Sequence, residues 1–112
     1  MMRRLPRGEE TLPVVEVEGE LLTPAGLEKA HPELRLDELR EPASTKLLIE
    51  RVRMRLKQGR APTIYRFRYQ LTPEEQLSHM ESQDDIGLEL IEVERKLLEE
   101  ELRIMRGDYG RS

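Results

Sequence analysis

The sequence predicts a small, helix-rich α+β domain with a short two- or three-stranded sheet and a long C-terminal helix. Capped apolar stripes at helical spacing and short alternating stretches at 14–18 and 63–70 indicate this class. The length of 112 residues allows one domain of ordinary size. We therefore expect an extended N-terminal arm at 1–13 and a single domain at 14–112.

The first elements follow from turn residues and caps. Prolines and a glycine in residues 1–13 are typical of an arm. Val14–Glu18 alternates weakly and predicts a short strand that ends before Gly19. Thr23 before Pro24 predicts a helix start, because threonine is a good N-cap and proline suits the first helical position. That helix is short, since Pro32 disfavours helical backbone at the preceding residue.

Segment 44–57 has two interpretations. Ser44 or Thr45 can cap a helix, Gly59 suits its end, and the apolar residues fall on one helical stripe: Leu48, Ile49, Val52 and Leu56. The stretch 51–57 also alternates with period two, which is a strand pattern. The caps favour the helix.

The second half of the chain predicts one strand and two helices. Thr63–Tyr69 alternates β-branched or aromatic residues with arginine and predicts a strand. Thr72 before Pro73 predicts a second capped helix start. Asp84 or Asp85 begins the longest helix, at about 84–106.

The long helix carries two apolar stripes. One stripe has heptad-like spacing, and a second stripe lies beside it. The helix nearly spans a domain of this size, so we expect part of it to contact a partner. The candidate oligomer interface consists of Ile86, Leu90, Val93, Leu97, Leu98, Leu102, Ile104 and Met105.

The predicted core draws on every element. It consists of Val15, Val17, Leu27, Leu48, Val52, Leu56, Tyr65, Phe67, Tyr69, Leu90, Val93 and Leu97.

Composition excludes several classes of protein. The chain has no cysteine, so disulfide scaffolds, thiolate zinc sites and cysteine nucleophiles are excluded. No apolar run approaches the roughly 20 residues that span a bilayer, and no apolar stretch follows the basic start as in a signal peptide. We expect a soluble chain, either cytoplasmic or incorporated in a virion. The many ionic residues are typical of a thermophilic or GC-rich source.

Charge is arranged in blocks along the chain. Residues 9–42 hold ten acids and three bases, 43–69 hold eight bases and one acid, and 70–112 hold twelve acids and five bases. A basic middle between acidic flanks has two interpretations: internal neutralisation, or a basic surface that binds a polyanion. Neutralisation is favoured because the flanking acids are tethered nearby.

Catalytic patterns are sparse. His31 and His79 are the only histidines, and neither has partners at metal-ligand spacing. His79 and Glu75 suit a surface pair at i, i+4. No glycine-rich phosphate loop is present. We expect no enzymatic activity, no metal, no cofactor and no small-molecule substrate.

The basic segment 51–69 is the best candidate for recognition of a polyanion or partner. Its arginines can contact phosphate and its aromatic residues can stack on bases, although the aromatic face of a strand is more often core. The candidate residues are Arg51, Arg53, Arg55, Lys57, Arg60, Arg66 and Arg68.

Residues 59–67, followed by Leu71–Glu74, resemble the wing of winged helix-turn-helix regulators. The resemblance implies that 44–57 is a recognition helix and that 84–106 is a dimerisation helix. The first helix of that family has no counterpart in 1–20, which has the pattern of an arm and a strand.

The sequence therefore favours a non-catalytic structural or interaction protein, a small subunit of a homo- or hetero-oligomeric assembly such as a virion or accessory complex. The alternative is a winged-helix-like nucleic-acid-binding protein that uses 51–69. Pairing of these arginines with Glu16, Glu18 and Glu20, or with the C-terminal acids, would count against the alternative.

Overall fold

The computed structural model describes residues 11–34, 43–61, 63–66 and 69–106. These residues confirm the α+β class, with short hairpins and a long final helix. The elements are β1 Val15–Val17, β2 Glu20–Leu22, α1 Pro24–Ala30, α2 Thr45–Lys57, β3 Ile64–Arg66, β4 Tyr69–Leu71, α3 Pro73–Ser82 and α4 Asp85–Arg106.

The first hairpin explains the strand predicted at 14–18. β1 pairs antiparallel with β2, with Val15 opposite Leu22. Glu18 and Gly19 form the two-residue turn, with φ of 53° and 82°. Positive φ at both central positions defines a type I′ turn, whose twist matches that of the paired strands. β2 was not predicted, because its sequence does not alternate.

The second hairpin corrects the prediction of one continuous strand at 63–69. The segment forms two strands, β3 and β4, paired antiparallel with Ile64 opposite Leu71. A lone strand of this length would leave its backbone N–H and C=O groups without ladder partners, and reversing the chain pairs them locally. Phe67 and Arg68, between the strands, lie outside the described residues.

The predicted helix starts are confirmed. In each, a side-chain oxygen accepts a hydrogen bond from the backbone N–H three residues later, which satisfies a donor left unpaired at a helix N-terminus. The capping residues are Thr23, Ser44, Thr72 and Asp84. The open question at 44–57 is settled as a helix, and Gly59 follows it with a φ of 69°.

The core lies between α2, α3 and α4. Of the predicted core residues, Leu27, Leu48, Val52 and Leu90 are confirmed as buried. Val15, Val17 and Leu56 are half-buried, and the side chains of Tyr65, Phe67 and Tyr69 lie outside what the structure describes. Buried apolar residues that the prediction missed are Leu12, Val14, Leu22, Leu47, Leu71, Met80, Ile91, Leu98 and Met105.

Two core predictions on α4 are wrong. Val93 is 46% exposed and Leu97 is 40% exposed. The helix instead buries the side that carries Leu90, Leu98 and Met105. The helical repeat of 3.6 residues places all five residues on the same half of the helix surface. Packing against α2 and α3 determines which residues of that half are covered.

The end of the predicted arm packs on the domain. Leu12 is fully buried, and Thr11 hydrogen-bonds with Gln58 at the end of α2. Residues 1–10 lie outside the described part of the chain.

A close backbone contact joins α3 to α4. Gly87, in the first turn of α4, is buried, and a Cβ placed on it would lie 1.8 Å from the carbonyl oxygen of His79. This distance is far below the van der Waals contact distance between carbon and oxygen, so a side chain at position 87 would force the two helices apart.

Replacing Gly87 by alanine should therefore destabilise the domain by about 3 kcal/mol, although alanine is the better helix former. Chemical denaturation followed by circular dichroism measures this. Glu99→Ala, at an exposed site on the same helix, is the control and should stay within about 0.5 kcal/mol of wild type. Equal stability of Gly87→Ala and wild type would contradict the described approach of α3 and α4.

Candidate functional site

The predicted basic segment does not form one surface, because Arg51 lies in the interior. Its side chain is fully buried. The Nε group donates to Glu94 Oε2 at 2.8 Å, Nη1 donates to the carbonyl oxygen of Pro13 at 2.8 Å, and Nη2 donates to Glu101 Oε2. One guanidinium thus ties α2 to α4 and to the segment before β1.

Arg55 completes this buried network. Its Nη1 and Nη2 groups donate to the two carboxylate oxygens of Glu94, at 2.6 and 2.9 Å. Arg51 and Arg55 are four residues apart on α2, and Glu94 and Glu101 are seven apart on α4, so each pair shares a helix face. We call these four residues the buried ion network.

The buried ion network balances two positive and two negative charges. Burial raises the pKa of Glu94, but the hydrogen bonds and positive charges of Arg55 and Arg51 outweigh burial, so its pKa lies below the ordinary value of 4.5. Glu94 is therefore held as a carboxylate. Here the basic block and the C-terminal acidic block neutralise each other, which was the favoured interpretation of the charge pattern.

The glutamates of this network were missed from the sequence. Glu94 and Glu101 lie at helical spacing from Leu90 and Leu98, among the apolar residues of α4. Arg51 follows Leu48 by three residues in the same way. Acids and bases set into the apolar stripes of two helices are the signal that could have revealed the pairing.

The other predicted bases are separated from one another. Arg53 is half-buried, and its Nη groups donate to Glu50 at 2.6 Å and to Glu81 at 2.8 Å. The hydrogen bonds that Arg53 donates to Glu50 and, second, to Glu81 raise its pKa. The guanidinium group of Arg53 is therefore paired with two carboxylates.

The remaining four predicted bases are Lys57, Arg60, Arg66 and Arg68. Lys57 is exposed, and the half-buried Arg60 donates from Nε to Gln58 Oε1 at 2.8 Å. The backbone of Arg66 belongs to β3, while its side chain and the whole of Arg68 lie outside the description.

The predicted oligomer interface divides into a covered and an exposed part. Leu90, Leu98 and Met105 are buried in the core, and Leu102 packs against it. Val93 and Leu97 are exposed, and Ile86 and Ile104 are half-buried.

The remaining four residues form a straight apolar line, which we call the α4 stripe: Ile86, Val93, Leu97 and Ile104. Of these, Ile86 also packs against the core. At 3.6 residues per turn, their spacings of seven, four and seven place them within about 40° of one another around the helix axis. Charged residues border the stripe on its solvent side: Glu89, Lys96, Glu100 and Arg103. An apolar line with a charged border is the pattern of a helix that packs on another helix.

His79 lies in the last turn of α3, close to the start of α4. Its Nδ1 lies 2.6 Å from Asp84 Oδ2, rather than pairing with Glu75 as predicted. Ser82 Oγ also donates to Asp84 Oδ2, at 3.2 Å. The hydrogen bond from the Gly87 N–H, and second the hydrogen bond with His79, lowers the pKa of Asp84. The serine contacts the carboxylate and not the imidazole, so this cluster caps α4 and does not form a nucleophile–base pair.

The described residues offer no other chemical centre. Among them, no three His, Asp or Glu side chains lie close enough to hold a metal ion. No helix of the described chain combines the length and apolar composition needed to cross a membrane. The buried ion network and the α4 stripe are therefore the features from which a function can be argued.

Glu94→Gln should destabilise the domain by about 3 kcal/mol, because it leaves two buried guanidinium groups without their shared carboxylate. Denaturant unfolding measures the change. Glu92→Gln, two residues earlier on the exposed side of α4, is the matched control and should change stability by less than about 0.5 kcal/mol. Similar losses in both variants would show that the buried network does not hold α4.

Acid should destabilise wild type more than Glu94→Gln. Because the folded pKa of Glu94 lies below 4.5, its contribution to stability is complete above that pH and is lost as pH falls through the folded value. Glu75 and Asp84, whose pKa values are also lowered, titrate in both proteins. The difference in unfolding free energy between wild type and variant should therefore be smaller below pH 4 than at pH 6; parallel losses in the two proteins would contradict the assignment.

Comparison with models of known protein families, with curated proteins and with solved structures gives no match to this chain. The geometry of its own residues is therefore what indicates its function.

Proposed function

We propose that this protein is a non-catalytic assembly subunit, which associates with another protein chain through the α4 stripe. The observation that carries the proposal is the exposure of Val93 and Leu97, at 46% and 40%, in line with Ile86 and Ile104. Burying apolar side chains on association is favourable, and a continuous apolar line is a typical contact between helices.

The cost of exposing this line supports the proposal. Hydrophobic residues make up only 37% of the chain and aromatic residues 4%. The same helix meanwhile buries two glutamates, Glu94 and Glu101, on its inner side. A monomer is more stable when its apolar residues are buried and its carboxylates are exposed, and α4 shows the reverse. A partner that covers the outer side of α4 would explain why apolar residues lie there.

The helix is presented rigidly. Arg51 and Arg55 hold Glu94 near the middle of α4, and Gly87 seats its first turn against α3. A surface fixed before binding loses less conformational entropy on association. A second copy of the chain is the simplest partner, because every copy carries the same stripe.

The nucleic-acid alternative has less support. It needs the bases of 51–69 on one face, whereas Arg51 and Arg55 are buried against C-terminal acids and Arg53 contacts two glutamates. Arginines paired in this way are not available to phosphate groups.

Light scattering over a range of protein concentrations tests the proposal, with and without a short DNA duplex. Wild type should form a defined oligomer that does not bind the duplex. Leu97→Lys should weaken association about 30-fold, since two partly buried leucines are lost per dimer at about 1 kcal/mol each. Leu88→Lys is the matched control: Leu88 is 51% exposed on the opposite side of α4, and its replacement should leave association unchanged.

A protein that stays monomeric at all concentrations would overturn the proposal. Equal effects of Leu97→Lys and Leu88→Lys would also overturn it, because association would then not use the stripe. Salt-sensitive duplex binding by the monomer would favour the alternative.

A further inference from the structure

We infer that the partner of the α4 stripe is a second copy of this chain, packed with its α4 antiparallel around a two-fold axis near residue 95. The inference rests on the proposed function and deepens it, because it assigns the partner, the orientation and the residue pairs. Three features of α4 carry it: the symmetry of the spacing, the position of one glutamate, and the charges at the border.

The stripe is the same when its direction is reversed. The steps from Ile86 to Val93, Leu97 and Ile104 are seven, four and seven residues. Reversal about the midpoint at 95 brings Ile86 beside Ile104 of the partner subunit and Val93 beside the partner's Leu97. All four apolar side chains of each copy then meet an apolar side chain, as the shared patch of a two-fold interface requires.

Glu100 argues against the parallel arrangement. It lies at the border of the stripe and is half-buried. A parallel dimer in register would set it against its own copy, which is unfavourable for two carboxylates in one contact layer. The antiparallel arrangement separates the two Glu100 residues by ten residues along the axis, about 15 Å.

The charged border favours the same orientation. Glu89 and Arg103 are both exposed on the flank of the stripe. Antiparallel packing places Glu89 near Arg103 of the partner subunit, and the symmetry repeats the pair at the other end. Arg103 already donates to Glu100 at 2.9 Å, so it would lie between two carboxylates. Two pairs are unfavourable. Lys96 meets its own copy, and Glu89 lies at almost the same level as Glu100 of the partner subunit, with Arg103 of the partner subunit to offset their repulsion. At a water-exposed border such charge repulsion is weak.

Cysteine cross-linking distinguishes the two orientations, since the natural chain has no cysteine. Ile86→Cys and Ile104→Cys are prepared separately and oxidised alone or mixed. In the antiparallel dimer each cysteine is about 27 Å from its own copy, so neither variant alone should cross-link efficiently. The mixture should form the disulfide-linked heterodimer at least tenfold faster than either variant alone forms a disulfide-linked homodimer. Leu88→Cys mixed with Ile104→Cys is the matched control and should not cross-link.

A charge exchange at the surface tests the same pairing without touching the apolar residues. Glu89→Arg alone and Arg103→Glu alone should each associate about tenfold more weakly than wild type, because each homodimer contains two like-charged pairs. Mixing the two variants should restore association, since both pairs in the mixed dimer then have opposite charges.

The outcomes separate this inference from the proposed function. Efficient cross-linking of the single variants, or no recovery on mixing the charge variants, overturns the antiparallel dimer while stripe-dependent association still stands. A wild type that does not self-associate overturns both.

Discussion

Two arginines and two glutamates hold the longest helix of this protein in place. Arg51 contacts Glu94, Glu101 and the carbonyl of Pro13, and Arg55 binds Glu94 through both of its carboxylate oxygens. Charges taken out of water are costly, and they are tolerated only where each meets an opposite charge in good geometry. The requirement is strict: sliding α4 by one turn along α2 would leave a buried charge without its partner.

This constraint has consequences for the outer surface. A helix held at Glu94 and Glu101 and seated at Gly87 has little freedom to rotate, so Val93 and Leu97 stay turned toward solvent. Covering these side chains within the monomer would require a rotation of α4. Here that rotation would move Glu94 away from Arg55. The same interaction that joins α2 to α4 therefore maintains the apolar stripe that we propose as the assembly surface.

Local signals in the sequence predicted local structure well. Thr23 and Thr72 were identified as caps, and Ser44 and Asp84 were each one of two adjacent candidates, because capping depends on residues within one turn. The second hairpin was predicted as one strand, since Thr63–Tyr69 alternates without a turn signal. For the site, the eight candidate residues on α4 included the whole exposed stripe, but also Leu90, Leu98 and Met105, which the core covers. The seven candidate bases included Arg51 and Arg55, which are interior residues.

The sequence by itself determined the fold class, the helix starts, the extent of α4 and the opposition of charge between 43–69 and 70–112. These properties depend on periodicity, caps and composition, which act over short distances along the chain. Only the tertiary structure decided which arginines are paired inside and which apolar residues remain outside. Arg51 lies 43 residues from Glu94, and Arg53 is two residues from Arg51 yet faces Glu81 on another helix. The rotation of one helix against another sets these contacts, and that rotation depends on close packing between segments that are distant in sequence.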